Sequence, residues 1–371
     1  MLPTGQKNNR LLHLDSLRGV AALGVALHHS FLCVGRVPHL ELLVRVSGPV
    51  SVLFFFVLSG YVLGRSLHQA PAAGGWAYAA YFVRRCFRLY PAMVFALIMA
   101  VLAAKAMAAP MLWPANGDFP KEVIGNMRGV LVNHTYVPEF LLVTTQLIGP
   151  IWSLKVEFLC SLFLPCFQMI VRQFYRLAMP LAAFLAFMML QQGYDSNLFG
   201  SLWELHYLFI FYLGYLISCI PADSFPTKAA ANWLLFLVAM SLTWALVKDP
   251  LVTGQAMGAL NLSILLGGFL ILMIPCHQVW LRRLLHSGPL RFFGRISYSF
   301  YLLHWPLLFL TCHEIYQYAP APFARLPLAV QGWLLLIVST GLAAALAAVA
   351  ERWVEQPFNR LGHRLAKQLA S

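Results

Sequence analysis

Apolar residues fall in long blocks separated by short polar connections, and most blocks approach the roughly 20 residues that a helix needs to cross a hydrocarbon core. The blocks cover 17–35, 47–64, 89–109, 151–171, 177–191, 203–220, 231–247, 258–276, 296–312 and 329–350. A segment surrounded by lipid must satisfy its backbone hydrogen bonds internally. The pattern therefore predicts an all-α polytopic membrane protein, a bundle of about ten transmembrane helices set among membrane lipids. The block at 177–191 is short. The stretch 129–148 is apolar but interrupted by Asn133, His134, Pro138 and Glu139, which reads as a re-entrant or interfacial piece and moves the count by about one or two. No low-complexity linker, internal repeat or appended soluble domain is evident, so 1–371 reads as a single transmembrane domain. Its end, 351–371, reads as a short basic amphipathic helix expected on the cytoplasmic membrane surface.

Composition agrees with this pattern, with 60% hydrophobic and only 11% charged residues. The formal charge of +13 raises nucleic acid as a partner, but the basic residues sit in short connections between apolar blocks, where they encode topology. Nucleic acid is therefore excluded. If the N-terminus is cytoplasmic, the inner connections and ends collect most of the Lys and Arg, among them Arg65, Arg84, Arg172, Arg283 and Arg364. That bias predicts both termini inside. The polar start, 1–10, leads into an apolar block that carries charged and His residues and lacks a small-residue cleavage site, so it reads as a retained first span. The seven cysteines lack the paired spacing of a zinc site or a disulfide framework, and no metal is expected.

Within the apolar blocks a few residues are out of place. Arg18 and His29 lie eleven apart on the first block, which is about three helical turns plus 20°, so they share one face with an axial offset of roughly 16 Å. His28 falls on another face. An arginine at the cytoplasmic end and an imidazole deeper in the membrane suit a substrate with an anionic head and a long thin arm, the shape of acyl-coenzyme A. Arg85 and Arg88, three apart at the start of the third block, are helical neighbours able to grip a diphosphate together. The bland alternatives are snorkelling for Arg18 and topology for the pair. A desolvated His29 would be neutral, the form required of a general base or an acyl-accepting nucleophile, although a lone buried His is often only a hydrogen-bonded structural residue. Glu157, in the apolar run from Ile151 to Phe158, needs a partner from another span. The candidate is His29, which a carboxylate would orient; an ion pair with Arg18 or Arg88 is the competing reading. Ser59-Gly60 permits close approach of a helix or ligand, and His304 either lines the interior or bonds a carbonyl.

Six segments in order carry a resemblance: Leu14-Asp15-Ser16-Leu17-Arg18-Gly19 with its R-x10-H spacing to His29, Phe55 to Tyr61, Arg85 to Pro91, Trp152 to Glu157, Gly294 to His304, and Glu351 to Phe358. Together they resemble acyltransferase family 3, integral membrane acyltransferases of the bacterial cytoplasmic membrane, over nearly the whole chain. The resemblance implies transfer of an acyl group, commonly acetyl, from cytoplasmic acyl-coenzyme A to a hydroxyl on the extracytoplasmic side; bacterial members acylate surface glycans, Nod factors or macrolides, and a surface or cell-envelope glycan is the acceptor expected here. It implies essential roles for His29, Arg18, Arg85 and Arg88. Beside these, the residues themselves lead us to expect Glu157 next to His29 and Ser59 and Tyr90 in the coenzyme A site. Two positions depart from the pattern, His28 before His29 and Lys155 where a neutral or small residue is usual. No relay domain of the kind that longer members carry is evident in the sequence, so the chain is expected to act alone or with a separate partner protein. The rival from another class is a secondary transporter or flippase, but no pair of related halves with broken helices is found.

Overall fold

The structure is a computed structural model that describes residues 12–68, 75–107, 118–133, 147–191, 205, 207–220 and 279–370. It is all-helical, with no strand among the described residues. In chain order the longer elements are α1 (Leu12–Val34), α2 (Glu41–His68), α3 (Gly75–Ala106) and α4 (Asp118–Asn133). They continue with α5 (Ile151–Leu162), α6 (Leu164–Gln173), α7 (Ala178–Gln191) and α8 (Leu208–Cys219). After α9 (Val279–Leu285) come α10 (Gly288–Tyr318), the short α11 (Pro320–Ala324) and α12 (Leu328–Ala350). A π-helical turn, Glu351–Glu355, joins α12 to α13 (Gln356–Ala370).

Five stretches are long and apolar enough to cross a membrane: Leu12–Val34, Ser47–His68, Trp76–Ala106, Ile151–Gln173 and Leu328–Leu369. They match five of the expected blocks. The blocks at 177–191 and 203–220 correspond to shorter apolar helices, Tyr175–Met188 and Leu208–Cys219. The block at 296–312 lies inside α10, whose 31 residues extend about 46 Å but carry Arg291, Arg295, Ser297, Ser299, His304 and His313. The blocks at 231–247 and 258–276 fall outside the described residues. Of the interrupted stretch 129–148, the beginning forms the end of α4 and 147–150 leads into α5, while 134–146 is likewise outside them.

The core centres on α10, which packs against α1, α3 and α12. Two pairs of contacts fix how α1 and α10 lie. A Cβ added at Gly19 would sit 2.6 Å from the Gly294 backbone nitrogen, so two small residues let these backbones touch. Further along both chains His29 meets His304. The two helices therefore run parallel and in register. Gly35, at φ 93, ends α1 in the left-handed conformation that closes many helices. On the outer faces Trp333, Ile337, Leu342 and Val349 of α12 are exposed, as lipid-facing positions require.

A second close crossing joins α2 to α8, where a Cβ on Gly60 would lie 2.2 Å from the Phe211 carbonyl oxygen and one on Gly214 2.2 Å from that of Val57. The opening at Gly60 thus admits a helix. Gly214→Val is expected to lower the unfolding temperature in detergent, since overpacking a tight contact costs about 1–3 kcal/mol. Gly125→Ala, in open space on α4, is the control that does not lower it. The tail does more than rest on a surface: α13 packs against α3, with Gly362 so close to Phe87 that a Cβ there would be 2.4 Å from the Phe87 Cβ.

Candidate active site

The register of α1 and α10 brings two histidines together from positions 275 residues apart. His29 Nδ1 lies 2.9 Å from His304 Nε2, and His304 Nδ1 lies 2.5 Å from the Tyr301 carbonyl one turn back on α10. The rings stack at 5.2 Å between centroids, and the Trp305 indole meets His29 edge-on at 4.7 Å. Gly149 leaves the room that Trp305 occupies, since a Cβ there would be 2.6 Å from the indole. His304 is buried, while His29 is only half-buried and keeps part of its surface accessible. His28 is used differently. Its Nδ1 is 2.5 Å from the Val44 carbonyl and its ring lies over Gly48, so it packs α1 on α2.

Beside this pair is a cavity of about 80 Å³ lined by basic and hydroxyl side chains: Arg18 from α1, Ser59 from α2, Arg85 and Arg88 from α3, Ser153 and Glu157 from α5, and Ser297, Tyr298 and Tyr301 from α10. Phe55, Phe56, Leu89 and Leu154 complete it. Tyr301 links cavity and histidines: its hydroxyl is 2.7 Å from that of Ser153 in the cavity wall, while its carbonyl holds His304. Each arginine has a carboxylate neighbour, at distances that separate their roles. Arg85 donates to Glu157 at 3.0 Å and to the Ser161 hydroxyl at 3.2 Å, well within hydrogen-bond range. Arg18 is 3.6 Å from Asp15 and Arg88 is 3.8 Å from Glu355, too far for hydrogen bonds. Arg85 thus holds Glu157 and Ser161, while the Arg18 and Arg88 guanidiniums are not taken up by hydrogen bonds to these carboxylates. The lining holds more positive than negative charge.

Of the residues singled out from sequence, Arg18, Ser59, Arg85, Arg88 and Glu157 come together on this cavity. His29 stands next to it, beyond Tyr301. Tyr90 is not in the lining; its ring packs edge-on against Phe158, and the neighbouring Leu89 supplies the wall. The expected pairing of Glu157 with His29 is corrected. The Glu157 carboxylate bonds Arg85, and the partner of His29 is His304. Glu355, Ser153 and Tyr301 were not picked out. Buried Glu355 accepts hydrogen bonds from the Ser299 backbone N–H at 3.1 Å and from its hydroxyl, and faces Arg88. The signal was available, because Glu351 and Glu355 end an apolar run just as Glu157 interrupts one. Their π-helical turn is a geometry that recurs at functional sites.

This arrangement places an imidazole, chemically able to act as nucleophile or base, beside a basic cavity inside a helical bundle. The acyltransferase domain model of acyltransferase family 3 matches residues 11–352. The chain belongs to acyltransferase family 3. Similar members include a protein named as a membrane-bound transacylase, BcsY, from Komagataeibacter xylinus, 27% identical over 82% of this chain and 76% of the relative. One named as an O-acetyltransferase from Staphylococcus aureus (strain COL) is 20% identical over 94% of this chain and 57% of its own. The peptidoglycan O-acetyltransferase OatA of Listeria monocytogenes is 23% identical over 80% of this chain. The chain spans 57% and 49% of the length of the last two. No solved structure matches. Membership in the family, with the apolar helices, makes the chain a multi-pass membrane acyltransferase.

Proposed function

We propose that this acyltransferase moves an acetyl group from cytoplasmic acetyl-coenzyme A to a hydroxyl of an extracytoplasmic cell-envelope glycan. In this reading it lies in the cytoplasmic membrane with about ten spans and both termini inside. The observation that carries the reading is the placement of the His29 and His304 pair next to a cavity whose Arg18 and Arg88 donors are not taken up by hydrogen bonds to carboxylates. The name of the Listeria relative, a peptidoglycan O-acetyltransferase, supports a glycan acceptor.

In this reading the phosphates rest on Arg88 and Arg18, with Arg85 holding Glu157 in the wall, and the pantetheine arm runs along α1 toward His29. The axial offset of roughly 16 Å between Arg18 and His29 suits an extended arm. His29 then deprotonates the acceptor hydroxyl, or takes the acetyl group itself before passing it on. Arg88→Ala is expected to weaken coenzyme A binding about 10- to 100-fold, the range for losing hydrogen bonds to a charged group. Arg84→Ala, off the cavity, leaves it unchanged; titration calorimetry on the purified protein makes the comparison. For the acceptor, ester-linked acetyl groups on envelope glycans are measured in producing and deletion strains. Their loss on deletion is expected, and equal acetylation in both strains would contradict a glycan acceptor.

A further inference from the structure

We propose that His304 is a positioning residue for His29: it holds the His29 ring in the tautomer whose Nε2 is a free lone pair, and shares the charge when that lone pair takes a proton. The inference rests on His29 acting as base or nucleophile. It follows from hydrogen-bond accounting. The Tyr301 carbonyl can only accept, and it lies 2.5 Å from His304 Nδ1, so that nitrogen carries the proton. The neutral His304 ring then presents a lone pair at Nε2, 2.9 Å from His29 Nδ1. A lone pair can only accept, so His29 Nδ1 carries the proton and Nε2 of the neutral ring is left bare. A backbone carbonyl on α10 thereby sets the reactive nitrogen on α1.

The same relay handles the charge. When Nε2 takes the hydroxyl proton, the oxygen forms its bond to the thioester carbonyl carbon. The C–S bond then breaks and the departing thiolate regains the proton. In between, the Nδ1 proton of His29 can pass to His304 Nε2. His304 is then the imidazolium, donating one N–H to Tyr301 and the other to His29. The surroundings favour an imidazole over a carboxylate in this position. Phe300 stacks on His304 at 6.2 Å and Trp305 closes on His29. An ionised carboxylate among these rings would cost several kcal/mol to desolvate, whereas two neutral imidazoles carry no charge at rest. The other polar neighbours are engaged elsewhere, Glu157 with Arg85 and His28 with the Val44 carbonyl.

Acetyl transfer in membrane vesicles, with acetyl-coenzyme A varied, tests this with two variants. His304→Met fills similar space without a comparable acceptor, and His304→Gln restores one. Met is expected to lower kcat about 100-fold with KM for acetyl-coenzyme A within about twofold, and Gln to recover about tenfold of that loss. Equal activity of Met and Gln, or kcat and KM moving together, overturns the proposal. Activity retained in His29→Ala would instead overturn the role of His29. A silent His29→Ala with a fully active His304→Met sinks the role of His304 alone. Independently of any loss of folding in the His304 variants, 15N-histidine spectra of the wild-type protein, assigned by difference against His29→Ala, read the tautomer. A protonated His29 Nδ1 coupled to His304 Nε2 is expected, and a His29 protonated at Nε2 overturns the proposal.

Discussion

Replacing His29 by alanine is expected to reduce acetyl transfer by at least about 1,000-fold while the protein stays folded in the membrane. The expectation comes from geometry. His29 is the half-buried member of a pair whose other ring is buried and anchored, so substrate can reach only one of them. Alanine removes one imidazole and its contacts to His304 and Trp305 without touching the Gly19 and Gly294 crossing that seats α1 on α10. His28→Ala is the matched comparison. It removes a hydrogen bond to the Val44 carbonyl, costs about 1 kcal/mol of stability and leaves transfer within a few-fold of wild type. Activity assays paired with elution profiles in detergent separate the two. A His28 variant as inactive as the His29 variant would place the chemistry one residue earlier.

The second large effect is on stability. Arg85 is buried and donates at 3.0 Å to Glu157, which keeps 23% of its side-chain surface exposed. Breaking a buried pair leaves an uncompensated charge and costs about 3–5 kcal/mol, and the exposure of Glu157 puts Arg85→Leu at the lower end of that range. Replacing both residues by apolar ones removes both charges at once. The double variant Arg85→Leu with Glu157→Leu is therefore expected to be more stable than either single variant, with a coupling of about 2 kcal/mol in the cycle. Thermal unfolding in one detergent makes the comparison. Additive losses would show that the pair is not coupled, and that Arg85 is free to bind phosphate in its place.

Much of this was legible in the sequence, for reasons that local pattern can carry. Apolar length set α1, α2, α3 and α12, and the helical period put Arg18 and His29 on one face, which the structure turns toward α10. Physical exclusion of charge from lipid flagged Glu157. Its partner was not legible, because Arg85 is 72 residues away and pairing between distant helices leaves no local periodicity. His304 was expected to line the interior or bond a carbonyl, and it does bond that of Tyr301, but its pairing with His29 was not legible for the same reason, the two lying 275 residues apart. Glu355 was read as the start of a basic tail, although the charge logic applied to Glu157 held equally there. The blocks at 177–191 and 203–220 were counted as spans on apolarity, and among the described residues they carry apolar helices of 10–17 residues.

The central claim is transfer of an acetyl group from cytoplasmic acetyl-coenzyme A through His29. Inverted membrane vesicles, which expose the cytoplasmic face, are incubated with acetyl-coenzyme A labelled in its acetyl group, and alkali-labile label is counted in the glycan fraction. Vesicles holding the wild-type protein are expected to transfer label and those holding His29→Ala are not. Label in both, or in neither, would contradict the account.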